Sequence, residues 1–334
     1  REGQLPFLLK ILSIHKALSI QAHPDRVRAE RLHAQNPKAY KDANHKPEIA
    51  IALTDFEALC GFRPVEDIVR FLESVPELRA MLGEKESEAL CASIGDAQKE
   101  SDALKAAFAT MMHQPNDFVK AQVNSLVARA RAVSTDDGLH RSLDEAYALV
   151  ERLNHQFPED IGIFHVFLLN YAKMHIGDCL YMPQNTPHAY LSGDIVECMA
   201  CSDNVVRGGL TSKHKDVEVL CEMLNYKGGP APMIAATELA RGTWLYADAE
   251  LDEFQVTHMK IPQKGKRRSC FSSRGPSIVL CYRGAGIVHM SDENVPLEPG
   301  VCFLLAAGAE PEIEAETELD VFVACCPPQY FARK

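Results

Sequence analysis

The spacing of apolar residues changes period twice along this chain, and that double change limits the folds open to it. Before Pro64 the apolar residues fall in short strand-like runs, over about 5–23 and again over 48–62, where "PEIAIALTDFEALCGF" is β-branched and apolar at first and closes at Gly61. Between them, about 24–43 is rich in Ala, Arg, Glu and Lys and reads as a helix with a loop. From Pro64, which suits a first helical turn, Val65, Ile68, Val69, Leu72 and Val75 recur at helical spacing. Val119, Val123, Leu126, Val127 and Ala130 do the same after a break at Pro115. A third helical pattern runs Leu143, Ala146, Leu149, Leu153, with Ser142 and Glu145 spaced as a capping box at its start. From Gly162 onward short apolar runs return, punctuated by Gly-Asp, Pro and Asn.

These periods predict a mainly β chain with an α-helical insert. Residues 1–62 and 159–240 form one β-rich part, 63–158 the helical insert, and 241–334 a second β-rich part. Short strands with frequent turns point to sandwiches or jelly rolls. The hydrophobic share of 46% over 334 residues supports a sizeable core. A net charge of −11 without a basic stripe argues against nucleic acid as a partner, and the one dense basic run, "KGKRR" at 264–268, reads as a solvated loop. No apolar run approaches the roughly 20 residues of a membrane span, and no signal-peptide pattern opens the sequence. The 11 cysteines are odd in number and irregularly spaced, which fits reduced thiols and a cytoplasmic location. Cys198 and Cys201 form a lone C-x-x-C with no second pair and read as structural thiols. The chain opens at Arg1 already in a strand-like run, so we expect a preceding segment.

Two polar stretches interrupt the apolar runs: "LSIQAHPDR" at 18–26 and "DANHKPE" at 42–48. Ser19, Gln21 and His23 alternate, as do Lys46 and Glu48, and alternate residues of a strand share a face. Each stretch can therefore aim its polar groups into one cavity. By the same parity His45 faces away and reads as structural. Further on, the spacing Gly177–x5–Pro183–x4–His188 resembles the second motif of the cupin superfamily, with Asn185 where Gly is usual. Cupin-type jelly rolls are the fold this implies. A cupin histidine at this point meets ligands from an earlier motif, which here reads Gln21, His23 and Glu48. Two imidazoles and a carboxylate suit zinc, and a neutral amide oxygen as fourth ligand makes the set distinctive. A fainter copy of the Gly177 stretch starts at Gly300, with Pro311 in the place of His188 and no ligand set nearby, as in a degenerate, non-catalytic jelly roll.

"LSIQAHP", "DANHKPE", "CGFRPVEDI" and "PHAYLSGDIVECMACSDNVVRGGLT" together resemble the type I mannose-6-phosphate isomerases, or phosphomannose isomerases, in their eukaryotic form. The resemblance runs through the first β-rich part and the helical insert, and more loosely through the C-terminal part. It implies one Zn2+ per chain held by Gln21, His23, Glu48 and His188, and it makes Arg207, in the SDN-x-x-R stretch, an active-site residue. It also implies an apparently absent N-terminal segment carrying Trp-Gly and Gly-Thr-His-Pro type motifs. Neither occurs here, and the single Trp is Trp244.

The implied reaction interconverts mannose 6-phosphate and fructose 6-phosphate through an enediol, feeding GDP-mannose synthesis. Arg207 supplies fixed positive charge for an enediolate oxygen. Lys46 is a proton-transfer candidate, since a cation beside a metal gives up its proton more readily; the alternative is a pair with a carboxylate or with the substrate phosphate. Glu197 and Asp203 are rival bases, or else members of a buried hydrogen-bonding network. Tyr190 shares a face with His188, where it contacts substrate or packs in the core. Ser19, Lys46 and Arg207 are donors for the phosphate, with Lys213 a weaker one. Three readings follow: a zinc isomerase that is a cytoplasmic monomer; an iron-dependent cupin oxygenase, against which Gln21 in place of a histidine argues; and an inactive fragment or non-catalytic sugar-phosphate binder.

Overall fold

A computed structural model describes residues 4–132, 141–268, 274–290 and 293–332; the side chains of 141, 267 and 268 also lie outside what is described. The first β-rich stretch gives strands β1 (Phe7–Ile14) and β2 (Ile20–Ala22), helix α1 (Arg26–Gln35), and strands β3 (Glu48–Ala52) and β4 (Phe56–Phe62). The apolar run over 5–23 is thus two strands. Every residue of β3 is buried, as its unbroken "EIAIA" requires of a strand flanked on both sides.

Six helices follow: α2 (Val65–Ser74), α3 (Pro76–Leu82), α4 (Glu84–Ser93), α5 (Ala97–Met112), α6 (Asn116–Ala132) and α7 (Arg141–Gln156). Pro64 stands at the N-cap of α2, and the periodic residues of α2 and α6 are buried. Two expectations are corrected. Among the described residues the insert holds six helices where three periodic patterns were expected; α4, one of the additional ones, is largely polar and buries only Ser87, Leu90 and Ser93. The Ser142–Glu145 capping box does not form at the helix start, because α7 has begun by Arg141 and Ser142 lies inside its first turn. Phe62 joins the insert to the sheet. Its ring stacks on Tyr226 at 5.5 Å and meets the edge of Phe108 at 5.6 Å.

The short helix α8 (His165–Leu168) leads back into strands β5 (Leu169–Met174), β6 (Cys179–Met182), β7 (His188–Ala200) and β8 (Val206–Gly209), then α9 (Val217–Met223) and β9 (Met233–Ile234). With β1–β4 these strands make one nine-stranded antiparallel sheet. β7 is its spine. Its first residues pair with β4 and β2, and from Gly193 onward it pairs with β1 and β3. Gly193 has φ +104°, and a Cβ there would lie 2.5 Å from the Asp55 carbonyl oxygen. Only glycine allows this bend, which curls the sheet into a jelly roll.

The C-terminal part holds β10 (Thr237–Ala240), β11 (Thr243–Tyr246), β12 (Gln255–Ile261), β13 (Lys266–Arg268), β14 (Ser277–Arg283), β15 (Gly286–His289), β16 (Asn294–Leu297), β17 (Cys302–Leu305), β18 (Glu312–Ala315) and β19 (Leu319–Cys325). They form a six-stranded and a four-stranded antiparallel sheet packed around their own apolar cluster, including Met259, Val288, Ile313 and Val321. The fold is mainly β, with cupin-type jelly rolls and a helical insert. The "KGKRR" run is not the expected solvated loop. Lys266–Arg268 pairs with β18, and Lys266 meets Glu314 at 2.9 Å. Gly177 and Gly300, the two starts of the faint repeat, have φ +93° and +91° and precede β6 and β17 in turn. Among the described residues no helix is long and apolar enough to cross a membrane.

Candidate metal centre

Three buried side chains converge where β2, β3 and β7 meet. His23 follows β2, Glu48 opens β3 and His188 opens β7, each about 1% exposed. The turn before β7 explains how the two histidines are brought together. Asn185 adopts φ +61°, a left-handed conformation that glycine or asparagine tolerates, which accounts for Asn at the usual glycine position. Its backbone N–H donates to the His23 carbonyl at 2.7 Å, and its amide side chain exchanges hydrogen bonds with Asp25 at 3.0 and 2.8 Å.

Each imidazole is oriented through Nδ1. His23 Nδ1 lies 2.7 Å from the Asn204 carbonyl oxygen, and His188 Nδ1 lies 2.9 Å from that of Thr186. A carbonyl only accepts, so Nδ1 carries the proton and Nε2 presents a lone pair. Both Nε2 atoms point at one oxygen of Glu48, at 3.3 and 3.4 Å from Oε2. Burial holds the His23 imidazole below its usual range, hence neutral. Burial opposes ionisation of Glu48, but its carboxyl is held well below the ordinary value, with the Lys46 ammonium beside Oε1 contributing. A carboxylate oxygen thus faces two lone pairs, and none of the three atoms has a hydrogen-bond partner. Buried acceptors face each other in this way when a cation belongs between them. These donors lie within 4.8 Å of one another and can hold one metal ion.

The remaining polar residues surround this trio. Gln21 lies opposite both His188 on β7 and Arg207 on β8, so these three share a neighbourhood on adjacent strands. Ser19 Oγ donates to Gln21 Oε1 at 3.4 Å. Lys46 precedes β3 instead of lying in it, yet its Nζ reaches Glu48 Oε1 at 3.3 Å. The Tyr190 hydroxyl donates to Glu197 at 3.1 Å, and burial, reinforced by the charges of Glu197 and Glu48, pushes its proton affinity up. Burial and the Glu48 charge also raise the Glu197 carboxyl, while Lys10 at 3.0 Å opposes them. Asp203 is exposed and contributes a backbone N–H to Asp42 at 2.8 Å; Lys213 is exposed as well. His45 turns to Glu253 at 2.5 Å and Gln184 at 3.1 Å.

Two positioning residues escaped the sequence reading. Lys10 is the lone charge inside "FLLKILSI", which was the available signal. The side chain of Asn204 donates to the Asp42 and Asn44 carbonyls at 2.6 and 3.1 Å, and so ties the loop that orients His23 to the loop that leads into Glu48.

Fold and donor set define the class: a cupin with a His/Glu/His metal centre. Residues 1–65 match the family model for the catalytic domain of type I phosphomannose isomerase, and residues 81–169 match its helical insertion domain. Mannose-6-phosphate isomerase of Saccharomyces cerevisiae is 41% identical over 331 residues, covering 95% of this chain and 76% of that protein. The Mus musculus protein of the same name is 40% identical over 333 residues, covering 97% and 78%. A crystal structure of a phosphomannose isomerase mutant from Salmonella typhimurium superposes with a TM-score of 0.82 at 25% identity, covering 98% of this chain and 80% of that one. A zinc-bound crystal structure of mannose 6-phosphate isomerase gives 0.81 at 25% identity, covering 98% and 80%. The chain belongs to the type I phosphomannose isomerase family and is an enzyme of the isomerase class.

Proposed function

We propose that this chain interconverts mannose 6-phosphate and fructose 6-phosphate through an enediol, with one zinc ion held by Gln21, His23, Glu48 and His188. The observation that carries this reading is the trio of buried, unpartnered atoms: His23 Nε2, Glu48 Oε2 and His188 Nε2. Zinc at these donors would polarise the sugar carbonyl and hold its oxygens. Arg207, opposite Gln21, supplies permanent positive charge for the oxygen that becomes negative as the C2 proton leaves. Lys46 and Glu197 are the groups proposed to move protons. Lys46 is held by Glu48, while Glu197 is held between Lys10 and Tyr190, where burial and the Glu48 charge raise its proton affinity. Asp203 is a weaker candidate because it is exposed. Ser19, Lys46 and Tyr190 are proposed to touch the substrate.

The same reading divides the chain into a catalytic jelly roll (1–62 and 159–240), a helical insert (63–158) and a C-terminal non-catalytic jelly roll (241–334). The separate apolar cluster of the last part supports that division. It also makes the chain a cytoplasmic monomer acting upstream of GDP-mannose. The test is conversion of mannose 6-phosphate in deuterated water. Fructose 6-phosphate bearing deuterium at C1 is expected, because a proton held by a side chain exchanges with solvent. No conversion by the zinc-loaded chain overturns the reading, and conversion with no deuterium taken up contradicts proton transfer through a side chain that exchanges with solvent.

A further inference from the structure

The C-terminal part carries a charged pocket that the proposed reaction does not use. Trp244, His258 and Phe322 stand in register across β11, β12 and β19, and two residues further along the strands Lys260 and Arg283 flank Asp320 from either side. His258 stacks on Phe322 with ring centroids 4.2 Å apart, and its Nε2 lies 2.7 Å from Asp320 Oδ1. This buried pair forms the floor of a cavity of about 70 Å³, walled also by Tyr282 and by Ala52, Leu53 and Ile176 of the first β-rich part. A single water needs roughly 10–15 Å³, so the cavity has room for several waters or one small tetrahedral ion. It lies at the opposite end of β3 from Glu48, because Ala52 is the last residue of that strand.

The charges set what the cavity favours. Lys260 and Arg283 bring two positive charges against the single carboxylate of Asp320. Among the described residues neither cation forms an ion pair, and the Arg283 guanidinium lies 5.8 Å from the Tyr282 ring centroid. Asp320 is engaged by His258 at the floor, which leaves the two cations available above it. In a chain of net charge −11 this is a local positive excess, and apolar walls strengthen its pull on an anion. A guanidinium fork beside an ammonium suits phosphoryl oxygens.

We propose that the Lys260–Arg283 pocket binds a phosphate-class oxyanion, either free phosphate or the phosphoryl group of a monoester, separately from the metal centre. Isothermal titration of the zinc-loaded chain with inorganic phosphate at fixed ionic strength tests this. The wild type should take up one more phosphate per chain than the Lys260→Ala/Arg283→Ala double variant, with isomerase turnover unchanged. Equal stoichiometry in the two proteins with inorganic phosphate and with glycerol phosphate alike overturns the proposal. Thermal unfolding without phosphate checks that the double variant is folded. If it is not, Lys260→Gln and Arg283→Gln singly must each weaken this site by at least about ten-fold, and unchanged affinity in both overturns the proposal. Glycerol phosphate as a second titrant distinguishes the sources: binding of both places the determinant in the phosphoryl group, and binding of the monoester alone assigns the site to an organic phosphate. Absence of binding by either overturns the proposal.

Discussion

His188 Nε2 lies 3.4 Å from Glu48 Oε2, both atoms are buried, and neither has a hydrogen-bond partner. That arrangement is unfavourable without a cation, so metal binding should be linked to folding. Zinc at about 100 times its dissociation constant should stabilise the chain by roughly 2.7 kcal/mol. Glu48→Ala, which removes the ligand oxygens altogether, should abolish the effect. Thermal unfolding with and without zinc checks this, and an equal shift in both proteins would exclude Glu48 as a ligand.

Asp160 fastens the strand that carries Arg207. Its carboxylate accepts N–H groups from Gly162 at 2.6 Å, Leu210 at 2.7 Å and Thr211 at 3.3 Å. Gly209 packs so closely that a Cβ there would lie 2.5 Å from the Gly162 Cα. Asp160→Ala should release Arg207 from its register, lowering turnover by about 10- to 100-fold and stability by roughly 1–3 kcal/mol, while zinc content stays at the wild-type level. Steady-state kinetics and metal analysis on one preparation decide it.

His165 is fully buried beneath Gly208, and burial lowers its pKa to about 4. The unfolded chain therefore binds this proton more readily than the folded one between pH 6.5 and 4. Stability from this group is complete above that window and is lost as pH falls through it, by about 3 kcal/mol. Denaturant unfolding at pH 7, 6 and 5 should show a steeper loss for the wild type than for His165→Gln. Parallel losses would contradict the assignment.

The bend at Gly193 makes a separate prediction about the fold. Gly193→Ala forces a side chain into φ +104° and against the Asp55 carbonyl oxygen, and should destabilise by more than about 2 kcal/mol. Because β7 also carries His188, zinc affinity should fall with it. Denaturant midpoints with and without zinc measure both effects.

What the sequence disclosed, and what it did not, follows from the range of each interaction. Gln21, His23 and Glu48 sit in short polar stretches at strand ends, and the Gly177-to-His188 spacing is local as well; the expected alternation reaches only part of them, because β2 ends at Ala22, before His23, and β3 begins at Glu48, after Lys46. The Lys10–Glu197 pair joins residues 187 apart and depends on the pairing of β1 with β7, which no local pattern specifies. Asp203 lies past the end of β7 at Ala200, so strand parity does not govern where it points. Helix α4 was invisible because its polar face gives almost no period, its burial being imposed by the neighbouring helices. The juxtaposition of Lys260, Asp320 and Arg283 likewise depends on the register of three strands.

The most direct test of the central claim is zinc content and turnover measured on the same purified chain, before and after chelation. One zinc per chain, with activity lost on chelation and restored by one equivalent of zinc, is the predicted result. Full isomerase turnover in chain stripped of metal would contradict it.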